Sequence, residues 1–488
     1  GFARLNYSFM DRYLLELNGR YDGSSKFPKS HRFGFFPSVS VGWRLGQEAF
    51  MNWSRSWLDD FKVRASYGSV GNQRISPYQF SPVMSLHSNG TYILDGEGKT
   101  TYITSPGLVS RNFTWEKVTT LNIGFDLYAF KNRLTATFDW FDRRTTGMLA
   151  AGIEIPKVVG TAAPLQNVAD MKNRGWELNV TWRDRIGDFS YHVGFNIYDS
   201  QAEITKFNNE SRLPDYYVGR KIGEIWGYET DGYYTINDFN ADDAKHKTWT
   251  LKEGVVKING YNPQPGDVKF KDLRADGVIN SGDNTVENPG DRKVIGNDAA
   301  RYQYGISFGA AYKGWSLEVL LQGVGKRDYW LGGPALFPFG GAGAGDAVFQ
   351  ALYANQTDYW RAKSYDPSSS DYMVPVNPDS KLFRIYDQGN NVGSNTRVSD
   401  KYLQNAAYMR IKNITLAYTL PKEWVKRAFI QDAKFYLSIE NLATFSSLPK
   451  GYDPEGTAPS STANALSNGI SWGYPYYRTI SLGASITF

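Results

Sequence analysis

The chain has 488 residues and no Cys, and its 54 Lys and Arg against 49 Asp and Glu give a formal net charge of only +5. The missing Cys excludes disulfides, thiolate metal sites and Cys nucleophiles, and so small a charge gives no indication of a nucleic-acid partner. No run of about eighteen apolar residues occurs, so the sequence predicts no transmembrane helix. The mean hydropathy of −0.46 is still compatible with transmembrane strands, which are apolar only at every second residue.

Apolar and polar residues alternate with a period of two along most of the chain, which is typical of β-strands. The C-terminal segment shows this most clearly, because Ile480, Leu482 and Ile486 alternate with small polar residues. In chain order, the pattern predicts thirteen strands, at about 2–9, 12–22, 34–44, 60–69, 118–129, 132–143, 174–184, 188–199, 302–313, 315–324, 407–420, 433–443 and 477–488.

The two faces of these strands differ in composition. One carries mainly aliphatic residues and Phe, the other Asp, Asn, Arg, Thr and Gly, and aromatic residues recur near strand ends, as at Tyr128, Trp140 and Trp182. This pattern is typical of a membrane barrel. The alternative is a soluble sandwich or propeller, whose strands usually have about five or six residues, whereas about nine to eleven span a bilayer. Because the predicted strands are mostly long, we expect an all-β, membrane-spanning antiparallel barrel.

Short and long connections alternate between the predicted strands. The longest ones are residues 199–302 and 324–407, and outer-membrane barrels have short periplasmic turns and long extracellular loops. We therefore expect these two segments to be large extracellular loops, with Phe488 at the periplasmic end. The strand count is odd and no export signal is visible, so residues 1–488 are expected to be the C-terminal portion of one longer barrel domain.

Several segments, in the same order along the chain, resemble the SusC/RagA family of TonB-dependent outer-membrane transporters from Bacteroidetes. They include FPKSHRFGFFPSVSVGWRLGQEAFM (27–51), DDFKVRASYGSVGNQRISPYQF (59–80), NVADMKNRGWELNVTW (167–182), IWGYETDGYY (225–234), PGDVKFKDLRADGVIN (265–280) and the closing YPYYRTISLGASITF.

The resemblance implies a 22-stranded barrel of which this chain supplies about the last thirteen strands, with the N-terminal plug, the TonB box and the first strands absent from it. It also implies active nutrient uptake, powered through TonB and assisted by a SusD-like surface lipoprotein that closes as a lid. The usual cargo of the family is an oligosaccharide. A peptide importer of the same family, or a passive porin or adhesin barrel, is the alternative.

One loop resembles a calcium-binding EF-hand loop. Asp272, Asp276, Asn280 and Asp283 occupy ligand positions 1, 5, 9 and 12, and Val278 offers its carbonyl oxygen at position 7. Arg274 stands at position 3, where a ligand oxygen is wanted, and a bidentate Glu at position 12 is missing. A structural calcium ion and a metal-free Asx-rich turn are therefore both open, and no cofactor is required.

Aromatic residues are frequent in the predicted extracellular loops, where their rings could stack on sugar faces. Trp330, Tyr359 and Trp360 are the candidate substrate-binding residues, because they flank the glycine-rich stretch 340–345. The alternative is that these aromatic residues pack the loops together or contact a partner protein.

No catalytic arrangement is recognisable, since the four His are dispersed and neither an H-E-x-x-H nor a G-x-S-x-G motif occurs. Asp139, Asp142, Arg143 and Arg144 form a charged group, for which solvated rim or interior charges are a sufficient explanation. We therefore expect no enzyme activity. The terminal Phe488 resembles the C-terminal signal that the barrel-assembly machinery reads, the alternative being one more lipid-facing aromatic residue.

Overall fold

A computed structural model describes residues 1–88, 101–110, 112–151, 155–161, 163–207, 212–240, 249–332, 336–337, 352, 354–385, 392–450, 452–456 and 476–488. These residues form mainly β-strands. In chain order the strands are β1 (Phe2–Phe9), β2 (Tyr13–Gly23), β3 (Phe33–Arg44), β4 (Leu58–Asn72), β5 (Ser85–His87), β6 (Tyr102–Thr104), β7 (Glu116–Ala129), β8 (Leu134–Ala151), β9 (Leu165–Ile186), β10 (Phe189–Lys206), β11 (Glu224–Tyr228), β12 (Thr230–Tyr233), β13 (Val268–Phe270), β14 (Arg292–Asn297), β15 (Arg301–Tyr312), β16 (Trp315–Lys326), β17 (Asp328–Trp330), β18 (Leu403–Asn405), β19 (Tyr408–Thr419), β20 (Asp432–Ser446) and β21 (Thr479–Thr487).

The helices are short and lie in the connections. They are the α-helical turns Val392–Asn395 and Lys422–Val425 and the 3-10 turns Lys29–His31, Leu45–Gln47, Ala49–Ser54, Lys157–Val159, Ile236–Asp238, Ala354–Gln356, Asp400–Tyr402 and Lys426–Ala428. Within the described ranges, none of the helices has the length and apolarity needed to cross a membrane.

Thirteen strands form one sheet, in the order β1-β2-β3-β4-β7-β8-β9-β10-β15-β16-β19-β20-β21. The order follows the chain once the short loop strands are set aside, and neighbours such as β8 and β9 pair antiparallel. The prediction of a thirteen-stranded, all-β antiparallel sheet is confirmed. A meander of this kind satisfies the backbone N–H and C=O groups of each inner strand from both sides.

The predicted boundaries are wrong where the strands continue beyond their apolar stretch. β8 has 18 residues and β9 has 22, so residues 152–164 connect them instead of the predicted 143–174. The extra residues include Asp170 and Lys172. These strand ends mix charged residues with consecutive apolar ones, such as Met148 and Leu149, instead of alternating, so the sequence pattern could not detect them.

The chain divides into two compact units. The first consists of Gly1–Glu210, Tyr216–Lys221 and Gly305–Lys313, and the second of Ser211–Asp215, Ile222–Tyr304 and Gly314–Phe488. The first unit contains the meander from β1 to β10. The second contains the meander β16-β19-β20-β21 together with most of the two segments predicted to be long loops.

In the first unit the apolar sheet face is open rather than packed. Leu17, Val41 and Ile123 lie on this face in β2, β3 and β7 and are 41%, 49% and 46% exposed. Aromatic residues border it at the end with the short turns, where Tyr13 stacks on Trp43 at 6.3 Å between ring centroids. At the opposite end Trp140 of β8 stands directly across from Trp176 of β9. An exposed apolar band between two aromatic rows is the surface that a lipid bilayer requires.

The polar face of the same strands is crossed by a charged row. The Arg64 guanidinium of β4 donates to both carboxylate oxygens of Asp139 in β8, at 2.5 and 2.6 Å, and so passes over β7 between them. It does so at Gly124, which pairs with Arg64 on one side and Asp139 on the other. A Cβ at Gly124 would lie 2.5 Å from the Phe138 carbonyl oxygen, so only Gly fits beneath this ion pair.

We therefore expect Gly124→Ala to destabilise the protein. The added methyl group displaces the charged row, and loss of hydrogen bonds to charged groups costs about 1.5–3 kcal/mol each before solvent screening is allowed for. Gly42→Ala is the matched control, because a Cβ on that polar-face glycine would meet Leu14 at 3.4 Å, an ordinary contact. Urea unfolding of the intact protein in detergent measures the effect; equal midpoints for the two variants would contradict it.

Candidate functional site

The loop segments of the second unit fold into a core of their own. Three short strand pairs, β11 with β14, β12 with β13 and β17 with β18, form within the individual segments. An isolated β-bridge between Tyr228 and Ser399 joins the two segments. Apolar residues from both predicted loops pack in one cluster, which includes Ile225, Tyr228, Phe270, Ile279, Trp330, Phe337, Trp360, Leu382, Phe383 and Tyr402. These connections are therefore a packed layer that can hold a binding surface in a fixed shape.

Two of the three predicted substrate-binding residues lie inside this core. Trp330 is 4% exposed and packs against Phe337, with ring centroids 6.2 Å apart. Trp360 is 1% exposed, and its indole lies against Gly266, where a Cβ would approach the ring to 2.6 Å. Burial of this degree favours the packing role that was the alternative for both residues, and their contact with substrate stays a prediction.

Tyr359, the third candidate, is partly exposed. The Arg361 guanidinium stands 5.8 Å from the centroid of its ring, and the Asn377 side-chain amide donates to its backbone carbonyl at 2.7 Å. One contact occupies the ring and the other fixes the backbone, so Tyr359 offers less free surface than the sequence suggests. The glycine-rich stretch 340–345, from which the prediction for these residues was argued, lies outside the described residues.

A groove of about 740 Å³ opens on the second unit. Its lining includes Trp249, Lys252, Lys257, Asn259, Asn262 and Gln264. One aromatic surface among several hydrogen-bond donors and acceptors is the composition expected of a site for a polar, hydroxyl-rich ligand. We call it the Trp249 groove.

The Trp249 ring is held by its neighbours and is partly buried. It meets Phe239 edge to face at 5.2 Å and stacks on Tyr372 at 6.0 Å with an angle of 14° between planes. Elsewhere in the lining, the Lys257 ammonium donates to the Asn262 side-chain oxygen at 2.9 Å. The groove is therefore preorganised on its aromatic and polar walls, which lowers the entropy cost of binding.

The EF-hand-like loop forms part of the groove wall through Gly277 and Val278. Its carboxylates are engaged with the backbone: Asp272 accepts from the Gly277 N–H at 2.7 Å, and Asp276 accepts from the Val278 N–H at 3.1 Å. Partial desolvation raises the pKa of Asp272, but hydrogen bonds from backbone N–H groups outweigh it and lower the pKa overall. These bonds describe an Asx-type turn.

The predicted calcium ligands do not converge in this arrangement. Asp276 is paired with Arg274 at 2.7 Å, and Asp283 accepts from the Asn288 side chain at 2.8 Å. Over the whole described part of the chain, no three His, Cys, Asp or Glu side chains are grouped so as to hold a metal ion. The donor set does not fit calcium in this conformation, and the metal-free turn accounts for all the contacts of this loop given above.

The residue that organises the loop is Asp291, which the sequence reading missed. Its side chain is fully buried and accepts from the backbone N–H groups of Leu273, Arg274 and Asn280 at 3.0, 3.4 and 2.8 Å. It lies eight residues beyond the last position of the EF-hand pattern, so no local spacing marks it. A buried carboxylate that accepts three N–H groups closes the loop without a metal.

A second charged group joins the strands beside this loop. Glu229 accepts from the Lys271 and Lys293 ammonium groups, which follow β13 and lie in β14. Hydrogen bonds from Lys271 and then Lys293 lower the pKa of the Glu229 carboxyl to about 2. The cluster therefore carries one negative and two positive charges over the range of neutral to moderately acidic pH.

The C-terminal Phe488 directly follows β21 and is 78% exposed. The preceding strand β21 pairs with β20 up to its last residue, where Thr487 stands opposite Asp432. An exposed aromatic residue at the end of the last strand is compatible with both readings of the sequence, and the assembly signal stays a prediction.

Comparison with known proteins identifies the relatives of the chain. Residues 1–442 match the family model described as TonB dependent receptor-like, beta-barrel. The chain is 27% identical to TonB-dependent receptor P3 of Formosa agariphila over 507 residues, covering all of this chain and 45% of the relative. It is also 27% identical to TonB-dependent receptor SusC of Bacteroides thetaiotaomicron over 500 residues, covering 43% of that protein. The chain thus spans about half the length of the curated relatives it matches.

Among solved structures, the chain is similar to the RagAB peptide transporter, with a TM-score of 0.71 and 23% identity over all of this chain and 47% of that one. The same likeness holds for the RagAB peptide importer in its 'open-open' state, with a TM-score of 0.71 and 21% identity. At this identity the likeness establishes the fold and carries no conclusion about the ligand.

We expect Asp291→Ala to loosen the loop. The change leaves three backbone N–H groups without their acceptor, and each such loss costs about 1–3 kcal/mol when the group stays buried. Hydrogen exchange of residues 273–280, followed by mass spectrometry of the intact protein, should accelerate at least about tenfold. Asp283→Ala is the control, because its carboxylate accepts from a side chain only. If a calcium ion held the loop, Asp283→Ala and a chelator would produce the same acceleration.

The Glu229 cluster predicts a pH dependence. A carboxyl whose pKa is about 2 in the folded state and near 4.5 in the unfolded state stabilises the fold fully above pH 4.5, and this stabilisation is lost as the pH falls towards 2. The melting temperature of the wild type should therefore exceed that of Glu229→Gln at pH 6, and the gap should close between pH 4.5 and 2. Scanning fluorimetry at each pH measures the two melting temperatures. A difference between them that does not change with pH would argue against the lowered pKa of Glu229.

Proposed function

The chain belongs to the TonB dependent receptor-like β-barrel family, and on this premise we propose that it forms part of an outer-membrane importer that takes up an oligosaccharide actively. The sheet supports a membrane location, because its apolar face is exposed between two aromatic rows. The packed loop layer supports a surface that receives a ligand, because binding residues are typically carried by loops on a rigid scaffold.

The orientation follows from the alternation of connections. In outer-membrane barrels the short turns face the periplasm and the long loops face outwards. The turns between β1 and β2, between β9 and β10 and between β15 and β16 are short, whereas the loop layer spans most of residues 222–407. We therefore assign the loop layer and the Trp249 groove to the extracellular side.

The Trp249 groove carries the proposal for the cargo. A groove lined by a Trp together with Lys, Asn and Gln residues suits a sugar, which has an apolar ring face and hydroxyl groups around its edge. A peptide does not present an apolar ring face edged with hydroxyl groups at every residue. The name of one relative, SusC, and the description of the RagAB structures as a peptide transporter are the reasons to test both kinds of cargo.

Two partners complete the proposal. A SusD-like lipoprotein would close over the loop layer and keep the cargo in place, and TonB would supply the energy through the periplasmic side of the intact protein. Support for them comes from the family to which the chain belongs and from the RagAB pairing in the similar structures. A passive porin would need neither partner, so a protonophore that abolishes uptake of a labelled oligosaccharide by cells argues for energy coupling.

We expect Trp249→Ala to weaken oligosaccharide binding by the intact protein at least about tenfold. Losing a stacked indole removes about 1.5–3 kcal/mol of apolar burial, and about 1.4 kcal/mol corresponds to tenfold in affinity. Isothermal titration against panels of neutral oligosaccharides, acidic oligosaccharides and peptides measures it, with the lid protein present where it co-purifies.

Tyr359→Ala is the matched control, because it truncates an aromatic residue of the same layer outside the groove. Loss of binding in Tyr359→Ala with none in Trp249→Ala would move the site to the residue expected from the sequence. Binding of peptides and of no glycan would overturn the choice of cargo while leaving the importer assignment in place.

A further inference from the structure

Two arginines share one buried carboxylate on the outward face of the first unit. Asp142 of β8 is 6% exposed. It accepts from Arg144 at 3.2 and 3.3 Å and from Arg174 of β9 at 2.9 Å. Both guanidinium groups nevertheless stay open, with 64% and 54% of their side chains exposed. We call this group the arginine clamp.

The arginine clamp lies directly beyond the aromatic row. Trp140 pairs with Trp176, and two residues further along the strands Asp142 pairs with Arg174. Because alternate residues share one face of a sheet, the clamp lies on the same face as the two Trp and the exposed apolar band. Two residues of a strand correspond to about 6.6 Å, so the clamp lies that far beyond the two indoles along β8 and β9.

Further basic residues surround the arginine clamp. Lys172 pairs with Arg144 across β8 and β9, and Lys117 of β7 lies diagonally beside it, opposite Thr146. Lys172 is partly neutralised by Glu203 at 3.0 Å. On the same face, Asp170 pairs with Lys206, and Asp199 lies diagonally beside Arg174. With these residues the patch holds five basic side chains against four acidic ones and keeps an excess of one positive charge.

We propose that the arginine clamp binds the phosphate group of an outer-leaflet lipid. The proposal rests on the proposed function in one respect, that this end of the sheet faces outwards in the outer membrane. Indole rows mark the boundary of the hydrocarbon, and lipid phosphates lie just beyond that boundary. A phosphorylated lipid whose acyl chains cover the apolar band of β7 to β9 therefore brings its phosphate to the level of the clamp.

The chemistry of the arginine clamp suits a phosphate. Guanidinium groups bind phosphate oxygens through paired N–H donors. Asp142 engages Arg174 through Nε, which leaves its two terminal nitrogens without a partner among the described residues, and Arg144 likewise keeps Nη1 free. The buried carboxylate thus holds two donors in place before the ligand arrives, which lowers the entropy lost on binding.

An ordinary surface ion pair explains less of the geometry. Such a pair is expected to be solvated on all sides and to contribute little to stability. Here the carboxylate is buried beneath both cations, the cations outnumber the anions, and the group continues an apolar face instead of a hydrophilic one. These features are expected of a site that binds the anionic group of an otherwise apolar molecule.

The test is lipid retention by the intact protein, measured by native mass spectrometry in mild detergent. The purified, delipidated protein is titrated with monophosphorylated lipid A, with its dephosphorylated form and with phosphatidylethanolamine. We expect the wild type to bind the phosphorylated glycolipid, and the double variant Arg144→Gln/Arg174→Gln to retain it at least about tenfold less, because two charge-assisted contacts are lost.

Arg133→Gln is the matched control. Arg133 is also an exposed arginine paired with an aspartate, Asp184 at 3.3 Å, but it stands at the short-turn end of the same strands. It should retain lipid as the wild type does, and heat-modifiable gel mobility verifies that every variant has folded. Equal retention by the double variant, or equal binding of the dephosphorylated lipid, overturns the proposal.

Failure of the proposal and failure of the proposed function give different results. Lipid retention is measured without cargo, so a change of cargo class leaves it untouched. The orientation is checked separately with Val158→Cys, because Val158 is 93% exposed in the connection that follows β8 and the chain contains no Cys. Labelling of this cysteine on intact cells by a membrane-impermeant maleimide supports the outward orientation, and its protection there would overturn both the orientation and the lipid site.

Discussion

Pairing of the backbone along a thirteen-stranded antiparallel meander is the constraint on which the rest of the structure depends. Inside a bilayer no water is present to satisfy N–H and C=O groups, so each strand must obtain its hydrogen bonds from its neighbours. Once strands pair in this way, side chains alternate strictly between two faces. One face of the first unit can therefore be apolar and open while the other carries ion pairs such as Arg64 with Asp139.

The same alternation separates residues that are close in sequence. In the sequence, one charged group contains Asp139, Asp142, Arg143 and Arg144. In the structure, Asp139 accepts from Arg64 on the polar face. Asp142 accepts from Arg144 and Arg174 on the apolar face. An odd spacing along a strand changes the face and an even spacing preserves it. Within a few residues, one strand thus serves the interior wall and the surface that meets the membrane.

Away from the sheet, the connecting segments form a layer that is stabilised like a small globular core. The loop segments of the second unit bury Trp330, Trp360 and Tyr402 among aliphatic and aromatic neighbours. Their burial gives the layer a fixed shape, and the polar groups that remain at its surface, together with Trp249, can then act as a preformed groove. Trp249 therefore belongs to both the layer and the groove, because it packs against the layer and also lines the groove.

The sequence by itself determined the all-β class, the thirteen strands and the faces that they present, because a period of two is a local property of each strand. It also contained the loop that resembles a calcium site. Only the tertiary structure decided that Asp291, beyond the motif, closes this loop. It also decided that Trp330 and Trp360 are buried, whereas Trp249 lines a groove. Finally, it brought Arg174 of a neighbouring strand to Asp142. Each of these outcomes depends on contacts between segments distant in sequence, and neither composition nor spacing records which distant segments meet.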